Sequence, residues 1–218
     1  VMSEHLETAN QQLDEINTNA FDTVKGIDSV DDKIATDMYK ESPGKKLELR
    51  LKLLEWAGKL QVPTVTGLMI GLGETKTHKK LVLHHIADIH KRYGTIHEVL
   101  LQNFVPVKGT AFEAHKSPKK KEILETFEMA KSILPEDINV IVPIECNTQD
   151  MKEFIKAGIR DIGRIYEGNN IVTGQNMPVD ITSLRQISEE FGLDLQQRFP
   201  LRKSFIKEGK YSKKLGQV

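Results

Sequence analysis

Pro63-Thr64-Val65-Thr66-Gly67-Leu68-Met69-Ile70-Gly71-Leu72-Gly73-Glu74-Thr75 is the stretch on which the fold turns. Residues 63–70 are rich in β-branched and apolar side chains, and glycines end the run. From Thr75 the period changes, with Val82, Ile86 and Ile89 recurring at helical spacing up to about Arg92. A short apolar strand that passes through glycines into an amphipathic helix is the start of a βα unit.

The same alternation extends outward in both directions. Residues 97–104 (HEVLLQNF) read as a strand, and Ser117-Pro118 opens a helix carrying Ile123, Phe127, Ala130 and Leu134, stopped by Pro135. Residues 138–142 (INVIV) are a further strand, 148–157 a helix with Gly158 as its C-cap, 159–165 a strand candidate, and 181–191 a last amphipathic helix. On the N-terminal side, Ser42-Pro43-Gly44 marks a helix start. In that helix Leu49, Leu53, Trp56 and Leu60 share one face, widened by Leu47, Leu51 and Leu54. Residues 21–27 are a weak strand candidate, and 3–16 a helix with Leu6, Ala9, Leu13 and Ile16 in phase.

Five β-then-α units follow from this pattern. Continuous apolar strands separated by amphipathic helices indicate an α/β fold with a parallel sheet buried on both faces. Two architectures fit, an open doubly wound sheet or part of a (β/α)₈ barrel, since five units cannot close eight strands. Residues 1–195 carry the pattern, and 196–218 form a Lys-rich C-terminal tail.

Composition narrows the function. Thirty-one basic and thirty-one acidic residues give a net charge of zero, against a dedicated nucleic-acid binder. No run reaches the ~18–20 apolar residues that cross a bilayer, and no signal-peptide core precedes the first helix. The single cysteine, Cys146, rules out an internal disulfide and a cysteine-built zinc site within these residues. A soluble, cytoplasmic protein of a reducing compartment is expected. The start at Val1 rather than methionine suggests an alternative start codon or a fragment.

Candidate site residues lie where strands end. Gly71, Gly73, Glu74 and Thr75 sit at a strand-to-helix junction, where α/β folds place ligands and where glycine lets a ligand approach the backbone. Spacing alone leaves two readings open: a ligand site, or a tight turn with Glu74 and Thr75 as caps. No Gly-Lys-Ser/Thr follows, and the glycine spacing is not that of a dinucleotide fingerprint. At the next strand end Asn103 could hydrogen-bond a heteroaromatic edge and Phe104 could stack on it, or the segment is an ordinary βα loop. Asp161 and Arg164 could orient a polar substrate or neutralise each other. His84, His85 and His90 read as surface histidines and Lys116, Lys119, Lys120 and Lys121 as a solvated face. Cys146 is a lone thiol with no identifiable base beside it.

These segments together resemble the radical S-adenosylmethionine superfamily. GLMIGLGET (residues 67–75) is similar to the G-x-I-x-G-x-G-E motif of its fifth barrel strand. A closer resemblance is to the branch that builds deazaflavin chromophores, carried by VMS (1–3), residues 42–75, KRYGTIHEVLLQNF (91–104) and ILPEDINVIVP (133–143), and more loosely by GIRDIGRI (158–165). The resemblance implies a partial, TIM-like (β/α) barrel comprising the fourth to eighth units. It implies S-adenosylmethionine near Gly71, Gly73, Glu74, Asn103 and Phe104, with Asp28 roughly where the family has a fourth-strand Glu. It further implies a [4Fe–4S] cluster whose C-x₃-C-x₂-C ligands are absent from this sequence, so that the chain holds no metal ligands and is inactive by itself. The implied reaction uses a 5′-deoxyadenosyl radical to join tyrosine and a ribityl-aminouracil, releasing ammonia, with a second radical-SAM subunit as partner.

Some positions depart from the family pattern. Gly163-Arg164 stands where Gly-Gly is usual, Gly109-Thr110-Ala111 where Gly-Thr-Pro is usual, and residues 17–37 and 166–178 match poorly. Three readings therefore stand side by side: the C-terminal part of a deazaflavin synthase, part of a relative from the biotin-synthase or menaquinone-pathway branch, or a cluster-free binding subunit.

Overall fold

The computed structural model describes residues 47–110, 112–145, 147–165 and 179–198. Helix α1 (Leu47–Lys59) leads into strand β1 (Thr64–Ile70), then α2 (Lys76–Tyr93), β2 (Ile96–Asn103), α3 (Lys120–Ile133) and β3 (Asn139–Ile141). A 3₁₀ turn (Thr148–Asp150), α4 (Met151–Lys156) and α5 (Ile181–Glu190) follow. Among the described residues the sheet has three strands in the order β1-β2-β3, all parallel. The parallel α/β reading holds, and the sheet is compatible with part of a β/α fold. The strand candidate at 21–27, the helix at 3–16, Asp28, Ser42-Pro43 and Cys146 lie outside the described residues.

Each element has a local cause. Helix α2 starts at Thr75, whose side chain accepts a hydrogen bond from the His78 amide at 3.2 Å. It stops at Gly94, which takes the left-handed conformation (φ 68°) and returns its N–H to the His90 carbonyl. Val82, Leu83, Ile86 and Ile89 of its buried stripe pack on Leu68 and Ile70 of β1 and on Val99 and Leu101 of β2. Ile123, Phe127 and Ala130 of α3 complete this core with Val140 and Val142. A second, smaller cluster joins Ile144, Met151, Ile155 and Leu184 beneath α4 and α5. Asp180 caps α5, its carboxyl held below the usual range first by the Ser183 hydroxyl, then by the Ser183 and Thr182 amides.

Several expectations are corrected. On α1 the face containing Leu49, Trp56 and Leu60 is the exposed one, while Arg50, Leu54 and Ala57 are buried. Leucines surround this helix, so its own period could not choose the face. The choice comes from α2: at Gly58 a Cβ would stand 2.5 Å from the Tyr93 ring, so only glycine lets the helices meet there. Helix α3 opens at Lys119, two residues later than Ser117-Pro118 suggested, because Pro118 instead packs against Gly71. The helix over 148–157 begins as a 3₁₀ turn, and its cap is Ala157 with Gly158 (φ 88°) following.

The strand expected over 159–165 does not form. Two backbone bonds tie it to the chain leaving β3, Val142 N–H to Asp161 O and Ile144 N–H to Ile162 O, each at 3.1 Å. Gly163 then turns left-handed (φ 74°) and gives its N–H to the Asp161 carboxylate, which ends any ladder. His90 is buried rather than on the surface, with Nε2 3.0 Å from Asp137.

The core makes a sharp contrast between close neighbours. Leu83 is fully buried and Leu81 is 43 % exposed on the same helix. Leu83→Ala should cost about 2–5 kcal/mol, and Leu81→Ala about 0.5 kcal/mol or less. Urea unfolding of both variants checks this; equal losses would mean that α2 docks by a different face.

Candidate active site

Parallel register brings two of the sequence-predicted segments together. Ile70 and Asn103, the last residues of β1 and β2, are direct partners, and the Phe104 amide donates to the Ile70 carbonyl at 2.8 Å. The junction 71–75 and the segment 103–104 therefore lie side by side at the carboxyl edge of the sheet, where α/β folds bind ligands.

The junction is shaped by its glycines and by Glu74. Gly71 and Gly73 both take positive φ (99° and 100°), a conformation costly for any residue with a Cβ. Glu74 does not project outward. Its side chain is 3 % exposed, and its carboxylate accepts the amides of Gly71 at 2.9 Å and Leu72 at 2.7 Å. Thr75, not Glu74, is the residue that caps α2. From α2, the buried ammonium of Lys79 reaches Glu74 at 3.3 Å and Glu122 of α3 at 2.6 Å.

Beside it, Asn103 is almost wholly buried and its Oδ1 accepts from Nδ2 of Asn147 at 2.9 Å. Asn147, in the loop after β3, also donates to the Pro143 carbonyl at 2.7 Å. The side-chain oxygen of Asn103 is thus occupied, which fixes how its amide presents. Phe104 meets Phe112 edge-on (6.3 Å between centroids, 67°) and His115 (6.2 Å, 76°), so its neighbours are aromatics of its own loop.

Period and register place Val65, Gly67 and Met69 of β1, Glu98, Leu100 and Gln102 of β2, and Asn139 and Ile141 of β3 on the face away from α2 and α3. Met69, Leu100 and Gln102 on this face are half-buried. Asp161 and Arg198 meet at its lower end. Arg198 binds Asp161 through Nε and Glu98 through a terminal nitrogen, each at 2.7 Å, and Asp161 also accepts from Asn139. Asp161 is thus committed to a structural cluster well below the Gly71–Glu74 junction.

An open cavity of about 850 Å³ lies between the start of α2 and α3, lined by Glu74, Lys76, Lys79, Glu122 and Glu125 among others. Lys76 binds Glu125 at 2.7 Å and holds its carboxyl below the usual range. Lys120 is raised above its ordinary value, first by Asp150 and then by Glu153. Lys120 is therefore tied down, whereas Lys116, Lys119 and Lys121 are exposed as expected.

Lys79 and Asn147 were not singled out from sequence. Lys79 carries a signal, since it stands four and seven residues before Leu83 and Ile86 on the buried stripe. Asn147 carries none, for asparagine ahead of a helix ordinarily reads as a cap. Removing the Asn147 amide would leave a buried acceptor on Asn103 unpaired. Asn147→Ala should lower stability by about 1–3 kcal/mol, with new solvent exchange at the Asn103 side-chain amide seen by NMR. An unchanged Asn103 signal would show that Asn147 does not set that amide.

The chain is similar to archaeal enzymes over most of its length. It is 39 % identical over 181 residues to the 7,8-didemethyl-8-hydroxy-5-deazariboflavin synthase of Methanococcoides burtonii, covering 83 % of this chain and 54 % of that protein. The synthases of the same name from Methanopyrus kandleri and Methanocaldococcus jannaschii are 34 % and 38 % identical over 181 residues, with 54 % and 50 % of their lengths covered. No family model matches the chain. No solved structure matches it either. Over 83 % of its residues this chain is a relative of the archaeal 7,8-didemethyl-8-hydroxy-5-deazariboflavin synthases, and it spans about half the length of those proteins.

Proposed function

We propose that this chain is the C-terminal part of a radical S-adenosylmethionine enzyme. Its reaction builds the deazaflavin chromophore from a tyrosine-derived adduct of 5-amino-6-ribitylaminouracil, releasing ammonia. One observation carries the reading. The two segments that the family resemblance marks for the nucleoside, 71–74 and 103–104, lie side by side at one sheet edge, where Ile70 pairs with Asn103 and the Phe104 amide donates to the Ile70 carbonyl. Relatives that bear the synthase name favour this branch over the biotin-synthase and menaquinone-pathway alternatives.

The residues present fit S-adenosylmethionine. An adenosyl group needs an apolar face to lie on and hydrogen-bonding groups at its edge. Half-buried Met69, Leu100 and Gln102 share the face away from α2 and α3, and the buried Asn103 amide ends β2 on its opposite face, so apolar surface and hydrogen-bonding groups meet at the strand ends. Bound there, S-adenosylmethionine would supply a 5′-deoxyadenosyl radical for hydrogen-atom abstraction. The chain's own residues would position it: the Gly71–Gly73 backbone gives close approach, Glu74 holds that backbone in shape, and Asn103 presents a fixed amide.

The [4Fe–4S] cluster does not fit this chain. Such a cluster takes cysteine thiolates, and Cys146 is the single cysteine. The described residues also bring together no group of three or more His, Cys, Asp or Glu suited to a metal. On this reading the cluster ligands belong to the remainder of the enzyme, and a second radical-SAM subunit shares the reaction in the cytoplasm. Among the described residues, no helix is long and apolar enough to cross a membrane.

Two measurements test the proposal. After incubation with iron and sulfide, this chain by itself should form no 5′-deoxyadenosine from S-adenosylmethionine. Its accumulation with this chain as the sole protein would overturn the assignment of the cluster to the remainder. In the complete enzyme, Glu74→Ala should weaken S-adenosylmethionine binding by roughly tenfold, ~1.4 kcal/mol, without unfolding. Calorimetry giving the wild-type affinity would limit Glu74 to a stabilising role in the turn.

A further inference from the structure

We infer that Lys79 is a positioning residue, coupling Glu122 on α3 through Glu74 to the backbone of the nucleoside-binding turn. The inference deepens the proposed function and rests on it for the identity of the ligand. It begins from a buried charge. The Lys79 side chain is 4 % exposed, and an ammonium so placed is tolerated only when paired. Its partners come from two different elements: Glu74 in the turn at 3.3 Å and Glu122 in the first turn of α3 at 2.6 Å.

Glu74 passes the constraint to the backbone. Oε1 accepts the Gly71 amide as well as contacting Lys79, and Oε2 accepts the Leu72 amide. Every polar contact of this carboxylate therefore fixes the 71–72 peptides or ties them to α2. A second contact presses on the same peptides from the α3 side: a Cβ at Gly71 would stand 2.7 Å from Pro118. The turn is held between Lys79 and the segment that leads into α3, so a shift of α3 has two routes to it.

The far end of this chain of contacts is open to experiment. Glu122 is 39 % exposed, borders the open cavity, and does not touch the turn itself. A salt bridge that merely staples α3 to α2 would affect stability alone. A relay would change the turn and what the turn binds. Glu122→Gln separates these, because the substitution keeps size and hydrogen bonding while removing the charge that orients Lys79.

The test uses the complete enzyme, with amide exchange by mass spectrometry over residues 71–75 and calorimetry with S-adenosylmethionine. Glu122→Gln should speed exchange over 71–75 by about tenfold while β2 exchange stays unchanged, and should weaken binding three- to tenfold. In a Lys79→Met background the same substitution should have no further effect on either quantity, as expected for groups acting as one unit. Lys79→Arg should restore most of the protection. Unchanged exchange over 71–75 in Glu122→Gln overturns the relay whatever the affinity does, as do effects that add to those of Lys79→Met. Faster exchange in an enzyme whose wild type binds no S-adenosylmethionine upholds the relay and overturns the proposed ligand. Should Lys79→Met fail to fold, Glu122→Gln with its partly exposed side chain still decides the matter.

Discussion

The parallel pairing of β1 with β2 is the constraint from which the site follows. Strands that run the same way end at the same edge, so pairing Ile70 with Asn103 places the 71–75 turn beside the 103–104 segment. Parallel neighbours also require a crossover, and α2 supplies it by burying Val82, Leu83 and Ile86 on the strands it connects. The pairing and the crossover depend on each other. Leu68, Ile70, Val99 and Leu101 form one face only in this register, since a shift by one residue would turn their side chains away from the helix.

What could be read in the sequence was what period and punctuation specify locally. The strands at 64–70 and 96–103 and the helix between them followed from an apolar run, glycines and a stripe at helical spacing. The neighbourhood of Gly71, Glu74 and Asn103 followed once both strands were taken as parallel. Where several solutions satisfied the same local pattern, sequence could not choose. Helix α1 has leucine on nearly every side, and its inward side is the one that brings Gly58 against Tyr93 and Leu54 into the core. Residues 159–165 have the apolar content of a strand, yet Gly158 and Gly163 bend the backbone and Asp161 captures the Gly163 amide. Pairings distant in sequence, such as Asn103 with Asn147 across 44 positions, have no local trace at all.

Glu74 illustrates how a carboxylate can shape a turn without projecting from it. A carboxylate at a helix start is ordinarily read as serving the helix dipole. Here Thr75 serves the helix, and Glu74 organises the turn before it by accepting two of its amides. Two left-handed glycines make that turn sterically possible, but they also leave its backbone free to take other shapes. A buried acceptor bound to Gly71 and Leu72 removes that freedom. Flexibility that permits close approach and a carboxylate that restricts it are thus complementary requirements of one turn.

The remaining question is why a chain that spans about half the length of its relatives should fix these two strand ends from within. In an α/β fold each junction is positioned by the strand it follows, and each strand by its immediate neighbours. The geometry at 71–75 depends on β1, Lys79, Glu122 and Pro118, and that at 103–104 on β2, Asn147 and Pro143. All of these lie within this chain and are fixed by contacts inside it. A site built on other strands would rely on other junctions. Parallel sheets build sites in this way, one strand end at a time.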